Sequence, residues 1–487
     1  MHSALSRFGI SLMVLAGLWS MAGFPACLAA DVPLTPHTID NAFDGPASVY
    51  AADVDGDGST DVLGAAAGAN EIAWWDNGGG SPITWTKQSI AAGFGGAISV
   101  YAADIDGDLD TDVVGAGWSR NQIAWWRNDG GSPIVWTKLA IVSGFTNAHE
   151  VYACDVDLDG DEDVLGVGAG NNTIAWWRND GGNPIVWTQQ ILSSSFGGAR
   201  SVRAADLDGD GDVDIVGAAL TANEVAWWRN DGGSPIVWTE FVVSGSFGGA
   251  HMVRPGDVDG DLDLDLVAAG YSADEIAWWR NDGGDPVVWT KFTIATGFNG
   301  AVTACPADID KDGDPDILGA AQDASDIAWW SNEGGSPIAW QAHTIDANFG
   351  GVWPAYAADL DHDTYIDILA GGNSADEIRW WQNGLALSSV PAPPPGPVKL
   401  YQNLPNPFSP TTGIRFWLAQ EGNVRLSIYD VAGRLIRTLV DGGIQAGSHS
   451  VAWDGRDEKG REMPSGLYFY RMTAGTAVET RPMTLLR

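Results

Sequence analysis

The chain has 487 residues, with 63 acidic side chains against 25 basic ones and a formal charge of −38 at pH 7. Such an excess of carboxylates argues against nucleic acids, anionic membranes and other polyanions as partners unless metal ions intervene, and makes a cation the natural counterpart. The 63 glycines and 25 tryptophans rule out a disordered acidic tail, which would lack aromatics, and imply many turns around a repeated aromatic core.

Residues 1–30 come first in chain order. Arg7 in a short basic start, an apolar run from Gly9 to Phe24 and the small-residue exit Cys27-Leu28-Ala29-Ala30 have the layout of a secretory signal peptide. A membrane anchor is the competing reading, but the run is short for a span. A lipoprotein Cys27 is a second one, and Gly23-Phe24-Pro25-Ala26 fits its box poorly. The mature chain is therefore expected to be exported, with no transmembrane segment.

Asp-x-Asp-x-Asp then recurs at Asp53, Asp104, Asp155, Asp206, Asp257, Asp308 and Asp359, each start 51 residues after the last. Inside one unit, residues 99–103, 111–116, 122–127 and 134–138 read as strands, and Asn128-Asp129-Gly130-Gly131 supplies a hairpin turn. Four short strands per unit of about 50 residues predict an all-β fold, a seven-bladed β-propeller over residues 31–384. The last unit stops at Trp380-Trp381-Gln382-Asn383-Gly384 without a fourth strand, while His37-Thr38-Ile39-Asp40 matches His343-Thr344-Ile345-Asp346 at the same distance from its loop. The N-terminal segment is thus expected to pair with the open edge of blade seven. Tryptophan pairs from Trp74-Trp75 to Trp380-Trp381 read as core, with an aromatic sugar-binding shelf as the alternative. Cys154 and Cys305 fall three blades apart on inner strands, so two buried free thiols and no disulfide are expected.

Each acidic loop offers carboxylates at positions one, three, five and nine. These are Asp53, Asp55, Asp57 and Asp61 in the first copy, then Asp104, Asp106, Asp108 and Asp112, and Asp155, Asp157, Asp159 and Asp163. Asp206, Asp208, Asp210 and Asp214 follow, then Asp257, Asp259, Asp261 and Asp265, then Asp308, Asp310, Asp312 and Asp316. The last copy has Asp359, Asp361, Asp363 and Asp367, with His362 and Thr364 in place of glycines, which is expected to weaken binding. Hard oxygen donors on a tight, glycine-permitted turn suit calcium (Ca2+) better than zinc or magnesium. Gly64 stands where an EF-hand needs a bidentate glutamate, so that motif is rejected. Plain solvated turns are the competing reading, but four aspartates in nine residues repel one another without a cation. The loops resemble those of the FG-GAP or VCBS repeat of integrin-alpha-like propellers, over residues 31 to about 384. Up to seven calcium ions would bring the charge from −38 to −24.

In so regular a repeat the informative positions are those that vary. Six residues before each loop start stand Ala47, Ile98, His149, Arg200, His251, Val302 and Trp353. Three before it, tyrosine is usual, yet Arg203 and Arg254 replace it in adjacent blades. With Glu150, and with Trp118 and Tyr271 from the loops joining second and third strands, these residues predict a ligand-binding rim opposite the acidic loops, suited to an acidic or sugar-like group. Neutral drift around a solvent-filled channel is the alternative. The sequence contains no His/Cys metal cluster, no Gly-x-Ser-x-Gly elbow and no phosphate-cradling loop. Glu150 is the one attractive acid beside the histidines for a glycosidase or polysaccharide lyase.

Val390-Pro391-Ala392-Pro393-Pro394-Pro395-Gly396-Pro397 reads as a stiff linker within 385–397, and residues 398–487 follow as an Ig-like β-sandwich of about seven strands. Gln402-Asn403-Leu404-Pro405-Asn406-Pro407-Phe408, Ile428-Tyr429-Asp430-Val431-Ala432-Gly433-Arg434 and Trp453-Asp454-Gly455-Arg456 resemble C-terminal sorting domains of type IX secretion cargo and the Ig-like domain of the flagellar hook-capping protein. That resemblance implies the type IX secretion machinery as a partner and secretion, or attachment at the outer-membrane surface, in a Gram-negative bacterium. The expectation is a monomeric, non-catalytic adhesion or binding propeller with an extracellular glycan or protein ligand. A secreted carbohydrate-active enzyme and a structural envelope protein are the alternatives.

Overall fold

The structure, a computed structural model, describes residues 32–386, 398–401, 403, 412–418, 420, 422–431, 433–445, 447–461, 463–475 and 477–485. The signal-peptide assignment with Cys27, nearly all of the proline-rich linker and most of the Gln402–Phe408 block lie outside the described residues. Among the described residues, apart from one turn of 3-10 helix at Gly384–Ala386, every regular element is a strand. The first five are β1 (Leu34–Asp40), β2 (Pro46–Ala52), β3 (Asp61–Ala66), β4 (Glu71–Asn77) and β5 (Trp85–Ala92). β2, β3, β4 and β5 form a four-stranded antiparallel meander, and five more such sheets follow in chain order. A seventh combines Val352–Ala358, Asp367–Gly372 and Glu377–Asn383 with β1, which lies antiparallel with Leu34 opposite Asn383 and His37 opposite Trp380. The described propeller therefore holds seven four-stranded sheets, and the N-terminal segment supplies the outer strand of the last.

Burial follows from position in the disc. β3 is buried at all six residues because neighbouring sheets cover both its faces, whereas outer β5 is half exposed. Gly115 on the second strand of the next blade shows how close the approach is. A Cβ there would lie 2.5 Å from Ile72 Cδ1 and 3.0 Å from Trp126 Cζ3. Both members of the tryptophan pair are core, Trp125 and Trp126 being 2% exposed each. The second ring of every pair meets the edge of a phenylalanine from the connection entering its blade. Phe43 packs on Trp75, Phe94 on Trp126, Phe145 on Trp177 and so on to Phe349 on Trp381, with centroids 4.9–5.3 Å apart. Such a T-shaped pair contributes roughly 0.5–1.5 kcal/mol beyond area burial.

A buried asparagine at the end of the third strand ties blades together. Asn179 Nδ2 donates to Ile105 O at 3.0 Å in the preceding blade, and Asn128, Asn281, Asn332 and Asn383 do likewise. Asn77 Nδ2 makes the same bond to Leu360 O at 3.0 Å, across the seam between the first and last sheets. The ring closes with the contact found at five of its six other blade junctions.

In the C-terminal module, Val398–Leu400, Thr412–Leu418 and Gly447–Trp453 form one sheet, and Leu435–Ile444, Gly422–Asp430, Gly466–Ala474 and Ala477–Leu485 form the other. Thr412–Leu418 alternates buried and half-buried residues, placing Ile414, Phe416 and Leu418 in a core with Leu426, Ile428, Trp453 and Tyr470. This is the two-sheet sandwich that the alternation predicts.

Candidate metal loops and a candidate ligand pocket

The acidic loops join the first and second strands of each sheet. In the first, Asp53 Oδ1 accepts from Gly56 N at 2.8 Å and Oδ2 from Gly58 N at 2.9 Å, turns that place both glycines at positive φ, 74° and 91°. Where either glycine is missing, the backbone keeps its shape. Leu109 takes φ 77° with its side chain 91% exposed, and His362 and Thr364 take 60° and 76° in the last copy. The ninth-position aspartate is the most buried member. Asp61 is 1% exposed, and its oxygens accept from Val54 N at 2.9 Å and Asn77 N at 2.8 Å, so it holds loop and third strand together. Each of those oxygens retains a second lone pair.

Carboxylate oxygens from Asp53, Asp55 and Asp57 come within 4.8 Å of one another, as do those of Asp104, Asp106 and Asp108, and of Asp206, Asp208 and Asp210. In the third and fifth loops the group is Asp155, Asp157 and Asp163, and Asp257, Asp259 and Asp265, drawing in the ninth position. Burial pushes Asp61, Asp112, Asp163, Asp214, Asp265 and Asp367 up to about 7, and Asp316 up to about 8. Burial also raises Asp55, helped by the charges of Asp57 and Asp53. Clustered carboxylates, the ninth of them raised by burial, are a donor set that fits a hard divalent cation, and these loops can hold a metal ion.

The first strand of each sheet is innermost. Its seven residues carry the chain about 20 Å from the acidic loop to the opposite channel mouth. There a cavity of about 350 Å3 is lined by His149, Glu150, Arg200, Arg203, His251, Arg254 and Trp353 among others. The nine residues placed on one rim by their sequence positions separate into layers. At the mouth, the rings of His149, His251 and Trp353 form a triangle with centroids 5.9–6.2 Å apart. Trp118 lies 5.7 Å from His149 and under the Arg200 guanidinium, while Tyr271 lies 6.4 Å from His251 and donates its hydroxyl to Asp323 at 3.1 Å.

Deeper in the channel, Tyr356, Tyr50, Tyr101 and Tyr152 follow one another at 4.6–5.1 Å, and the Arg203 guanidinium continues the row over Tyr152. Glu150 pairs with Arg203 at 2.8 Å and Arg254 at 3.4 Å. Its other oxygen accepts from Val202 N at 2.9 Å, the bond that the hydroxyls of Ser48, Ser99 and Ser201 accept from the next blade elsewhere. Burial alone would raise the Glu150 carboxyl, but Arg203 and Arg254 hold it below the usual range. Glu150, Arg203 and Arg254 thus form an ion-paired triad of net charge +1 in the channel wall. The two histidines are 6% and 7% exposed. Burial, with the charge of Arg200, pushes His149 well below its ordinary value and His251 down to about 4. Cys154 and Cys305 are half-buried and unpaired, on inner strands.

Sequence reasoning missed the phenylalanine under each tryptophan and the asparagine between blades, both invariant in register and so detectable. It also missed what Glu150 replaces, a position held by Ser48, Ser99 and Ser201 in other blades.

Comparison with known proteins gives two family matches. Residues 53–115, 104–166, 155–217, 206–268, 257–319 and 308–370 match the FG-GAP-like repeat, and residues 412–477 match the FlgD Ig-like domain. The basal-body rod modification protein FlgD of Salmonella typhimurium is 38% identical over 63 residues, 12% of this chain and 27% of that protein. The chain therefore spans about a quarter of the length of the curated relative it matches. Among solved structures, an Agrocybe aegerita lectin that recognises non-reducing terminal N-acetylglucosamine is 21% identical, covering 64% of this chain and 83% of its own at a TM-score of 0.45. PorZ, a surface component of the type IX secretion system of Porphyromonas gingivalis, is 15% identical, covering 92% and 61% at a TM-score of 0.41.

Proposed function

Since the chain belongs to the FG-GAP-like repeat family, we propose that it is an exported, calcium-stabilised propeller that binds an extracellular ligand, a glycan or a protein, at the channel mouth opposite its acidic loops. One observation carries this reading. The side chains that differ from blade to blade converge on one pocket, while those that repeat build sheets, inter-blade bonds and carboxylate loops. In a ring of equal units, a role needing one site per molecule has to reside in the differences between units.

Calcium would be held by the aspartates at positions one, three, five and nine of each loop. It would supply the positive charge that lets these carboxylates stay ionised. Catalysis is not part of the proposal, because Glu150 is held between two guanidinium groups and a backbone N–H, which disfavours proton transfer or nucleophilic attack by it. The FlgD Ig-like match at residues 412–477, the leader-like residues 1–30 and the sorting-domain motifs support export through a type IX secretion system, ending in the medium or on the outer-membrane surface. Among the described residues no helix is long and apolar enough to cross a membrane.

The test is a combined glycan and peptide array probed with the full chain in calcium, in chelator, and as Trp353→Ala. A hit lost in Trp353→Ala supports the pocket as the site. Hits unchanged by that substitution, or no hits in calcium, would remove the reading. Fusing residues 398–487 to a reporter checks export, and retention in the periplasm of a host with the pathway would defeat the sorting role.

A further inference from the structure

The pocket asks for two kinds of partner at once. His149 Nδ1 lies 3.0 Å from Arg200 O, and His251 Nδ1 lies 3.0 Å from Val302 O. A carbonyl oxygen only accepts, so each Nδ1 carries the proton and each Nε2 of the neutral ring presents a lone pair. His149 is 6% exposed, and its Nε2 has no hydrogen-bond partner among the described residues. A buried acceptor left unmet is costly, so the site calls for a donor from outside the protein. Arg200 asks for the reverse. Its guanidinium rests against Trp118, its Nε has no partner among the described residues, and Glu150, the carboxylate lining the pocket, is taken by Arg203 and Arg254. A planar cation without a counter-ion is a ready fork for a carboxylate. The face of half-buried Trp353, close to both histidines, offers an apolar surface for a ring.

We infer that, within the binding role proposed above, the channel mouth takes an acidic sugar unit of the hexuronate class, its carboxylate on Arg200 and its hydroxyls donating to the Nε2 atoms of His149 and His251. A neutral sugar leaves Arg200 without an anion. A sulfate dianion brings no hydroxyl to the two lone pairs, and a hydrogen phosphate dianion brings only one for the two of them. A uronate satisfies both, and a cavity of about 350 Å3 has room for one small ring. The chain's charge of −38 does not forbid such a guest, because 34 of the 63 acids sit in the repeated loops, about 20 Å away and beyond a Debye length of about 8 Å.

The experiment is calorimetric titration of the full chain in calcium with glucuronate, galacturonate, their methyl esters, the parent neutral sugars and inorganic sulfate. At least one uronate should bind about tenfold or more tighter than its own ester and neutral parent. Arg200→Gln should erase that margin, and His149→Phe should weaken acid and ester alike. Equal affinity for acid and ester, or sulfate binding as tightly as uronate, would overturn the uronate assignment while leaving ligand binding at the mouth intact. If no sugar binds and array hits survive Trp353→Ala, the underlying reading fails instead. The acid-against-ester comparison is made on the unaltered chain, so a variant that does not fold cannot shelter the inference.

Discussion

On one face of the propeller the same carboxylate loop is written seven times, and at the opposite mouth of the channel the residues change from blade to blade, with only His149 and His251 alike six places before the loop. The repeated face is tolerant. Leucine, histidine and threonine stand in for glycine at left-handed positions without changing the loop. The singular face is not, because Glu150, Arg203 and Arg254 come from three successive blades and both guanidinium groups share the one carboxylate. Repetition spreads stability over many equal contributions, and divergence concentrates chemistry in a few side chains that depend on one another.

The largest expected effect sharpens the repeated side of that contrast. Removing calcium should lower the thermal midpoint by about 10 °C or more, because ligand that binds only the folded state stabilises by roughly 2.7 kcal/mol per site at a hundredfold excess over Kd. Scanning calorimetry with and without chelator reads this directly, and an unchanged midpoint would empty the loops of their assigned role.

Next comes the singular side. Glu150→Ala leaves two buried guanidinium groups unpaired and should cost about 3–5 kcal/mol in denaturant unfolding, whereas Asp57→Asn in one loop of seven should cost less than about 2 kcal/mol. Equal costs would dissolve the distinction between the faces.

The two faces should also titrate with opposite signs. An imidazole whose folded pKa lies below its unfolded value near 6.5 stabilises the fold while neutral. That contribution is present above 6.5 and is lost as pH falls towards about 4, where buried His251 takes a proton. The share from His251 is up to about 3 kcal/mol, and His251→Phe should remove it from the acid limb of a stability-pH curve. In chelator the loops run the other way. Asp61 and its equivalents, raised by burial from 3.8 to about 7, favour the fold below 3.8 and lose that contribution as pH rises through 7. The stripped protein should therefore melt lower at pH 8 than at pH 5.

The smallest effect probes a break in the repeat itself. Asn230 Nδ2 donates to Val213 O within its own blade, whereas Asn179 Nδ2 also reaches the preceding blade. Asn179→Ala should cost about 1–2 kcal/mol and Asn230→Ala roughly 1 kcal/mol less, as read from urea midpoints.

Much of this was legible in the residues. The 51-residue spacing and its four strands per unit predicted the sheets, and the match of His37–Asp40 to His343–Asp346 predicted that β1 would complete the last one. Alternation predicted the C-terminal sandwich. Depth in the channel was not legible, because residues 149 and 150 point to different surroundings although they are neighbours in sequence. Only the ring, which sets three blades' side chains against each other, makes Glu150 a counter-ion while His149 faces the mouth. The Phe–Trp contacts escaped for a related reason, since a pattern common to all units says that a residue matters without saying what it touches.

One feature of the disc bears on how it is made. Leu34 pairs with Asn383, 349 residues later, so the earliest-synthesised strand of the propeller has no partner until the latest one exists. A chain emerging from the ribosome must carry that strand without its partner until six other sheets have been synthesised. Closure of the ring therefore cannot precede synthesis of Asn383, and a chain interrupted before it would present two open edges instead of a finished ring.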